Sequence, residues 1–369
     1  MNPLLRNKTS KKTDLSVWFW GCPHQNAEVS NGNNAIQDAL TQINSGVGFS
    51  YDFSICHGDF DSNQSFPTLS EPYASEGVLV SNALSGINGG RSRLYEVAGN
   101  HDAGDGNHDW YLKYVDPLGE NTADSGVNDS LRPYEKVYMY DTVERGKSWH
   151  SYYFIVGKQL FMCVSDRNDL PYPYGRGGSV VAGGHPSGTI TLETWNWMQS
   201  VILANSNKNI IISTHQNPRN TTIGTGDGDG STGSFHGTSG IAAGSGSLYS
   251  IYDEDLSVAD DATTAFLDFF ANNTSHTVVL WCAAHTHLNY NETHAGKGRI
   301  ESVNGVTFLN VGHLTQYHID GVRVPADPFS HQLLFNKNTV KVKQFLHKVL
   351  DGNPIGFYNP NESVINLKV

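Results

Sequence analysis

Five short polar segments in this chain each follow directly on an apolar run, and that alternation restricts the fold more than any other feature. The segments are Cys22-Pro23-His24, Gly58-Asp59, Gly99-Asn100-His101-Asp102, Thr214-His215 and His285-Thr286-His287, and the runs before them are 16–21, 51–57, 93–98, 209–213 and 277–283. Short apolar runs of this kind read as buried strands, and residues 34–43 have helical spacing, so the chain opens strand, helix, strand. Residues 191–203 and 261–270 again carry apolar side chains at helical intervals, whereas 149–154 and 159–165 read as a hairpin around Gly157. Strands joined by helices pair in parallel, and the closely spaced later runs 332–335, 340–345 and 364–367 suggest antiparallel pairing. The expectation is a layered α/β sandwich of mixed sheets, with the polar segments collected at the C-terminal ends of strands.

In open α/β sheets ligands bind beyond the carboxyl ends of strands, where successive loops converge. One edge would then receive imidazoles, a carboxylate, an amide and a thiol. Buried polar groups without partners cost free energy, and metal ligation compensates for that cost. Taken singly, the segments have plainer readings. Gly58-Asp59 suits a turn after a strand, Gly99-Asn100-His101-Asp102 also suits a turn, His24 could cap a helix, and His215 could be a surface histidine. His285 and His287 alternate, so on a continuing strand both imidazoles would face one side. Together and in this order the segments point to a metal site.

The set resembles the motifs of the calcineurin-like metallophosphoesterase superfamily: Asp-X-His, Gly-Asp, Gly-Asn-His-Asp/Glu, a later His, and Gly-His-X-His. The matching segments span residues 22–287, and the chain looks like an atypical member with Cys22 in place of the first-motif aspartate. The resemblance implies that Cys22, His24, Asp59 and His287 hold one metal, and that Asp59, Asn100, His215 and His285 hold the other. It further implies that His101 contacts phosphate and protonates the leaving oxygen, with Asp102 orienting it. In two-metal sites the ions lie about 3.5–4 Å apart and stabilise both attacking and leaving oxygens.

Several positions depart from the family pattern. Ala284 stands before His285 where the family has glycine, and Ser62 stands where purple acid phosphatases place a tyrosine ligand. The arginine-containing motifs of protein Ser/Thr phosphatases are absent from the sequence. Cys22 is the departure with chemical weight, because a thiolate suits zinc or iron and suits magnesium or calcium poorly. Three roles stay open for it: ligand of the first metal, a bystander beside a single metal on Asp59, Asn100, His215 and His285, or a structural or redox thiol paired with Cys56. His57, just before Gly58, offers another nitrogen but ends a buried run. The cofactor expected is one or two divalent transition metals, zinc or iron favoured by Cys22 and manganese also compatible.

The function expected is that of a metal-dependent hydrolase, a phosphodiesterase or phosphatase, with diesters favoured. A metal-assisted polysaccharide lyase or hydrolase on the same fold, or a non-catalytic binding module, remains open because fold does not fix chemistry. The partner would be a small or oligomeric phosphoester, or an acidic or neutral polysaccharide. A formal charge of -12 disfavours bulk binding of nucleic acid, and no run of about 18 apolar residues exists to span a membrane. Four cysteines, at 22, 56, 163 and 282, are too few and too dispersed for a disulfide scaffold. Sequons at Asn128, Asn220, Asn273, Asn291 and Asn361 suit secretion with a signal already removed, but they also arise by chance in an Asn-rich chain, so a cytoplasmic location stays open.

The expected organisation is a flexible N-terminus at 1–14, a catalytic domain at 15–350 with insertions at 104–147 and 222–248, and an extension at 351–369 packed on it. Arg132, Arg145 and Arg167 are candidates to line a substrate pocket, and the segment around His236 is a candidate lid or a plain linker. Asp227 and Asp229 lack the remaining ligand positions of a calcium loop.

Overall fold

The structure is a computed structural model and describes residues 14–25, 34–61, 67–102, 109–116, 132–139, 151–165, 188–225, 247–248, 250–252, 258–293, 296–315, 317–320, 322–325, 327–347 and 352–369. Ser62, Arg145, Arg167, Asp227, Asp229, His236, residues 1–13 and most of the two expected insertions lie outside this range. The first third supplies β1 (Leu15–Trp20), α1 (Ala35–Ile43), β2 (Phe53–Cys56), α2 (Tyr73–Leu84), β3 (Leu94–Glu96) and α3 (Asp109–Tyr114). The middle supplies β4 (Val137–Tyr138), β5 (Tyr152–Val156), β6 (Gln159–Val164), β7 (Thr189–Thr191), α4 (Leu192–Ala204) and β8 (Asn209–Thr214). Then come β9 (Ser250–Tyr252), β10 (Val258–Asp261), α5 (Ala262–Asn272), β11 (Val278–Ala283), β12 (Ile300–Val303) and β13 (Val306–Asn310). A hairpin of β14 (Tyr317–Asp320) and β15 (Val322–Pro325) precedes β16 (Phe329–Phe335), β17 (Thr339–Leu346) and β18 (Gly356–Asn366).

Two large mixed sheets face each other. One has the order β18-β17-β16-β1-β2-β3 and the other β12-β13-β11-β8-β6-β5-β4. β1, β2 and β3 are parallel, as the helical connections require, and so are β6, β8, β11 and β13. The closely spaced strands β16, β17 and β18 pair antiparallel, as their spacing suggested. β1 is buried along nearly its whole length, which is why LSVWFW reads as a continuous apolar run. Alternate side chains serve two cores. Val17 and Phe19 face the second sheet with Phe53, Ile55, Phe161, Ile211, Leu280 and Leu309. Trp18, Trp20 and Cys56 face outward onto Ile36, Leu40, Val80 and Trp110 of α1, α2 and α3. On the far side, Leu160, Ile210, Ile212 and Trp281 meet Trp195 and Met198 of α4 and Phe266 of α5. The layers are therefore helix, sheet, sheet, helix, the α/β sandwich expected.

Phe53 joins the two sheets by edge-to-face contacts with Phe154 at 5.5 Å and Phe161 at 5.3 Å. Aromatic pairs of this kind are worth about 0.5–1.5 kcal/mol each beyond the area they bury. The sequence pattern did not signal α2, because Val78 and Leu79 are exposed and Gly77 interrupts the apolar spacing. Packing explains the glycine: a Cβ there would lie 2.1 Å from the Tyr114 ring, so Gly77 lets α3 approach.

Arg132 does not line a pocket. It is buried, with Nη2 2.7 Å from Asp116 Oδ1, and it also donates to the Leu94 carbonyl. Lys136 completes the cluster, 2.5 Å from Glu96 Oε1 and 3.1 Å from Asp116 Oδ2. Burial, with the Asp116 carboxylate adding to it, pushes Glu96 up to about 7 against the opposing pull of Lys136 and Arg132. Removing one partner from such a buried cluster leaves charge uncompensated. Lys136→Met is therefore expected to destabilise the fold by about 3–5 kcal/mol, read as a lower urea midpoint at unchanged slope. An unchanged midpoint would show that the cluster contributes nothing net.

Candidate metal centre

Each polar segment leaves the C-terminal end of a strand: Cys22 after β1, Asp59 after β2, Asn100 after β3, His215 after β8 and His285 after β11. Backbone conformation at these ends is unusual. Among the described residues, six non-glycine residues have positive φ, and four of them are Cys22 (43°), His24 (43°), Asp59 (59°) and His285 (62°). Side chains in this region cost about 1–3 kcal/mol each and persist only where surrounding structure imposes them. The neighbouring glycines permit that structure. A Cβ on Gly58 would sit 2.5 Å from Gly99 N, and one on Gly99 would sit 2.3 Å from Asp59 Oδ1. Only glycine lets the ends of β2 and β3 close on the aspartate.

Two buried donor groups result. Cys22, His24, Asp59 and His287 place one ligand atom each within 4.8 Å of one another, and Asp59, His215 and His285 do the same. Asp59 Oδ2 faces both groups, 3.6 Å from His24 Nε2 and 3.1 Å from His215 Nε2. Within the first group His24 Nε2 and His287 Nε2 are 3.2 Å apart. Within the second, His215 Nε2 is 2.9 Å from His285 Nδ1 and 3.0 Å from Asn100 Oδ1, so the amide joins this group. The two histidines of the last segment thus separate, His287 into one group and His285 into the other. β11 ends at Ala283 and the left-handed turn at His285 redirects the chain, which replaces the continuing strand expected from their spacing.

The remaining ring nitrogens decide whether these donors suit a cation. His24 Nδ1 donates to the Asp61 carbonyl at 3.0 Å, and His215 Nδ1 donates to the His57 carbonyl. A carbonyl only accepts, so the proton sits on Nδ1 and a neutral ring turns its Nε2 lone pair toward Asp59. This backbone-anchored tautomer is the arrangement that metal-ligating histidines adopt. Two imidazole nitrogens per group around a shared carboxylate, with an amide oxygen and a sulfur, form a donor set that could hold a metal ion.

Electrostatics sharpen the centre. Burial works to raise Asp59, but positive charge on the surrounding imidazoles, His215 foremost, holds it well below the usual carboxylate range when those rings are protonated, as a cation between them would. Burial pushes Cys22 well above the ordinary thiol value, with the Asp59 carboxylate adding to it, so ligation requires loss of a proton. Its Sγ accepts the His285 backbone N–H at 3.2 Å, which links the two groups. All four cysteines are free thiols, so the Cys22–Cys56 bridge left open by the sequence is not formed.

His101 is buried, its ring edge-on to His24 at 4.7 Å and its N–H donating to Asp59 Oδ1 at 2.9 Å. Asp102 has a different role from the one expected. Its carboxylate accepts four backbone N–H groups, from Gly99 and Asp59 on Oδ2 at 2.8 Å each, and from Phe60 at 2.8 Å and Asp61 at 3.3 Å on Oδ1. It fixes the 59–61 turn rather than orienting the His101 ring. Burial, with the Asp59 charge, pushes it up to about 7 against those donors.

Other supports surround the donors, and of these only His57 drew notice in the sequence, as the end of a buried run. His57 is driven by burial down to about 3, its neutral ring donating to Trp20 O while its own carbonyl holds His215. Asn310 donates to Ala284 O and Thr286 Oγ1, bracketing His285. Arg299, buried, donates to the carbonyls of Leu288, Asn289 and Tyr290 and to Asn310 Oδ1. Asn310 ends the strand beside β11, so reading one strand end further would have found it.

No family model matches this chain, and no curated protein matches it. Among solved structures the chain is similar to GAP50, the anchor in the inner membrane complex of Plasmodium, at 12% identity and TM-score 0.49, over 97% of this chain and 90% of that one. It is also similar to PhoD, at 7% identity and TM-score 0.47, over 96% of this chain and 70% of that one. A third similar structure is a predicted phosphoesterase from Streptococcus pneumoniae, at 9% identity and TM-score 0.32, over 96% of this chain and 98% of that one. Likeness at this level carries no argument, and the chemistry has to come from the residues themselves.

Proposed function

We propose that this chain is a metal-dependent phosphoester hydrolase whose centre holds two transition-metal ions, with diesters the favoured substrates. The observation that carries this reading is Asp59 Oδ2, which faces imidazole nitrogens of both donor groups at once. Cys22, His24, Asp59 and His287 would hold one ion, with the thiolate favouring zinc or iron, and Asp59, Asn100, His215 and His285 the other. Such ions supply Lewis-acid activation of water and stabilise charge developing on a phosphoryl group.

The chain's own residues do the rest. Backbone carbonyls of Asp61 and His57 keep His24 and His215 in the ligating tautomer. The Asp59 carboxylate holds the His101 backbone, bringing that ring against His24 at the edge of the first group. From there His101 donates a proton to the departing alkoxide, a step that matters most for poor leaving groups.

Elemental analysis of chelator-free protein is expected to give two equivalents of zinc or iron, falling to one in Cys22→Ser. One equivalent in both would place the sulfur outside the coordination shell. Asp59→Ala is expected to lose both equivalents and hydrolysis of bis(p-nitrophenyl) phosphate together, and retained turnover would remove Asp59 from the site. His101→Gln should keep its metal yet lower kcat on an alkyl diester by about 10²–10⁴-fold. The same variant should lose far less on the p-nitrophenyl diester, whose leaving group needs no proton. Equal losses on both substrates would assign His101 to binding instead. Two bound ions with no phosphoester turnover would turn attention to a polysaccharide panel.

A further inference from the structure

The strand β13 ends at Asn310, and the next residues, Val311-Gly312-His313-Leu314-Thr315, enter the same end of the sandwich as the five polar segments. Gly312 has φ 92°, and a Cβ there would lie 2.4 Å from the Phe329 ring, so glycine is needed to bring this turn down against β16. His313 follows it and is fully buried. Its ring lies 5.4 Å from the His287 ring and edge-on to Phe329 at 5.3 Å.

The contacts of this turn run in two directions. Toward β1, Leu314 N–H donates to Gly21 O at 3.0 Å and Thr315 N–H donates to Cys22 O at 3.1 Å. Toward β11, His313 Nε2 lies 3.2 Å from Leu288 O, the carbonyl just after His287, while Nδ1 lies 2.8 Å from Thr315 O. The Thr315 peptide is therefore gripped through its carbonyl by His313 and through its N–H by Cys22. A continuous set of polar contacts runs from Cys22 through Thr315 and the His313 ring to the residue after His287. Cys22 and His287 come from different sheets, one at the end of β1 and the other beyond β11. No ladder hydrogen bond connects those strands, so apart from the His285 N–H on Cys22 Sγ their separation is set by the loops between them.

We infer that His313 is a positioning residue for the thiolate-containing donor group, holding Cys22 and His287 at ligating separation. This inference rests on the two-ion reading of the centre. The role asks for a rigid side chain with nitrogens on opposite edges. A histidine ring places one nitrogen against each carbonyl, donating from one edge when neutral and from both as the imidazolium, whereas a glutamine amide has a single nitrogen to place against one of them. The second group does not depend on this strut. His215 is held by the His57 carbonyl, and the turn at His285 is held by Asn310.

The test is cobalt(II) titration of the full chain, following stoichiometry together with the near-ultraviolet thiolate-to-cobalt absorption that reports Cys22. Wild type is expected to bind two equivalents, one of them with that absorption. In His313→Ala the absorption should require about 10–100-fold more cobalt, while the equivalent without thiolate absorption keeps its midpoint. His313→Gln, which retains one contact, should fall between, and it carries the test if the alanine variant does not fold. Thermal unfolding of the metal-free variants separates this role from a folding role. A lower melting temperature with an unchanged absorption midpoint would overturn the inference, and so would equal weakening of both equivalents. Failure of wild type to bind two ions would instead overturn the two-ion reading, and the positioning role with it.

Discussion

The centre depends on one carboxylate that need not touch a ligand. Asp102 collects four backbone N–H groups from the ends of β2 and β3, and those peptides carry Asp59 and define the turn that gives His24 its carbonyl acceptor. Each buried N–H left without an acceptor costs about 1–3 kcal/mol, so the four act as a cooperative latch. With the latch closed, Gly58 and Gly99 can approach within a distance that excludes any side chain, and Asp59 is forced into a left-handed backbone. Further contacts, the His101 N–H on Asp59 Oδ1 and the His24 N–H on the Asp59 carbonyl, then act on an aspartate that the latch has placed between two sets of imidazoles.

The same economy recurs around the histidines. Backbone carbonyls, from Asp61, His57 and Leu288, do the orienting that carboxylates perform in many metal sites. Carbonyls orient without adding charge, so among the candidate donors negative charge is confined to Asp59 and, when deprotonated, Cys22. That confinement fits the burial of the whole cluster, where the neighbouring Asp102 carboxyl is already pushed up to about 7 by burial and the Asp59 charge.

Strand ends and donor residues were legible because each donor follows an apolar run, and burial on both faces leaves strands with no polar alternation to confuse the reading. The separation of His285 from His287 came only with the family resemblance and not from their spacing, since a left-handed turn at a histidine has no residue-type signature. Nor was the role of Asp102, because its partners are peptide N–H groups common to every residue. Helix α2 hid behind Gly77, whose purpose lies in the Tyr114 ring beyond it. Arg132 looked available for a ligand until Asp116 and Glu96, distant in sequence, were seen to claim it.

The left-handed backbone at Cys22, His24, Asp59 and His285 sets stability against chemistry at these positions. Glycine adopts that conformation without steric penalty, so replacing any of the four by glycine relieves backbone strain while deleting a donor. A population of variants ranked by heat resistance alone would therefore accumulate its gains where the donor set is lost. Thermal robustness in this scaffold is a poor guide to whether the site is intact.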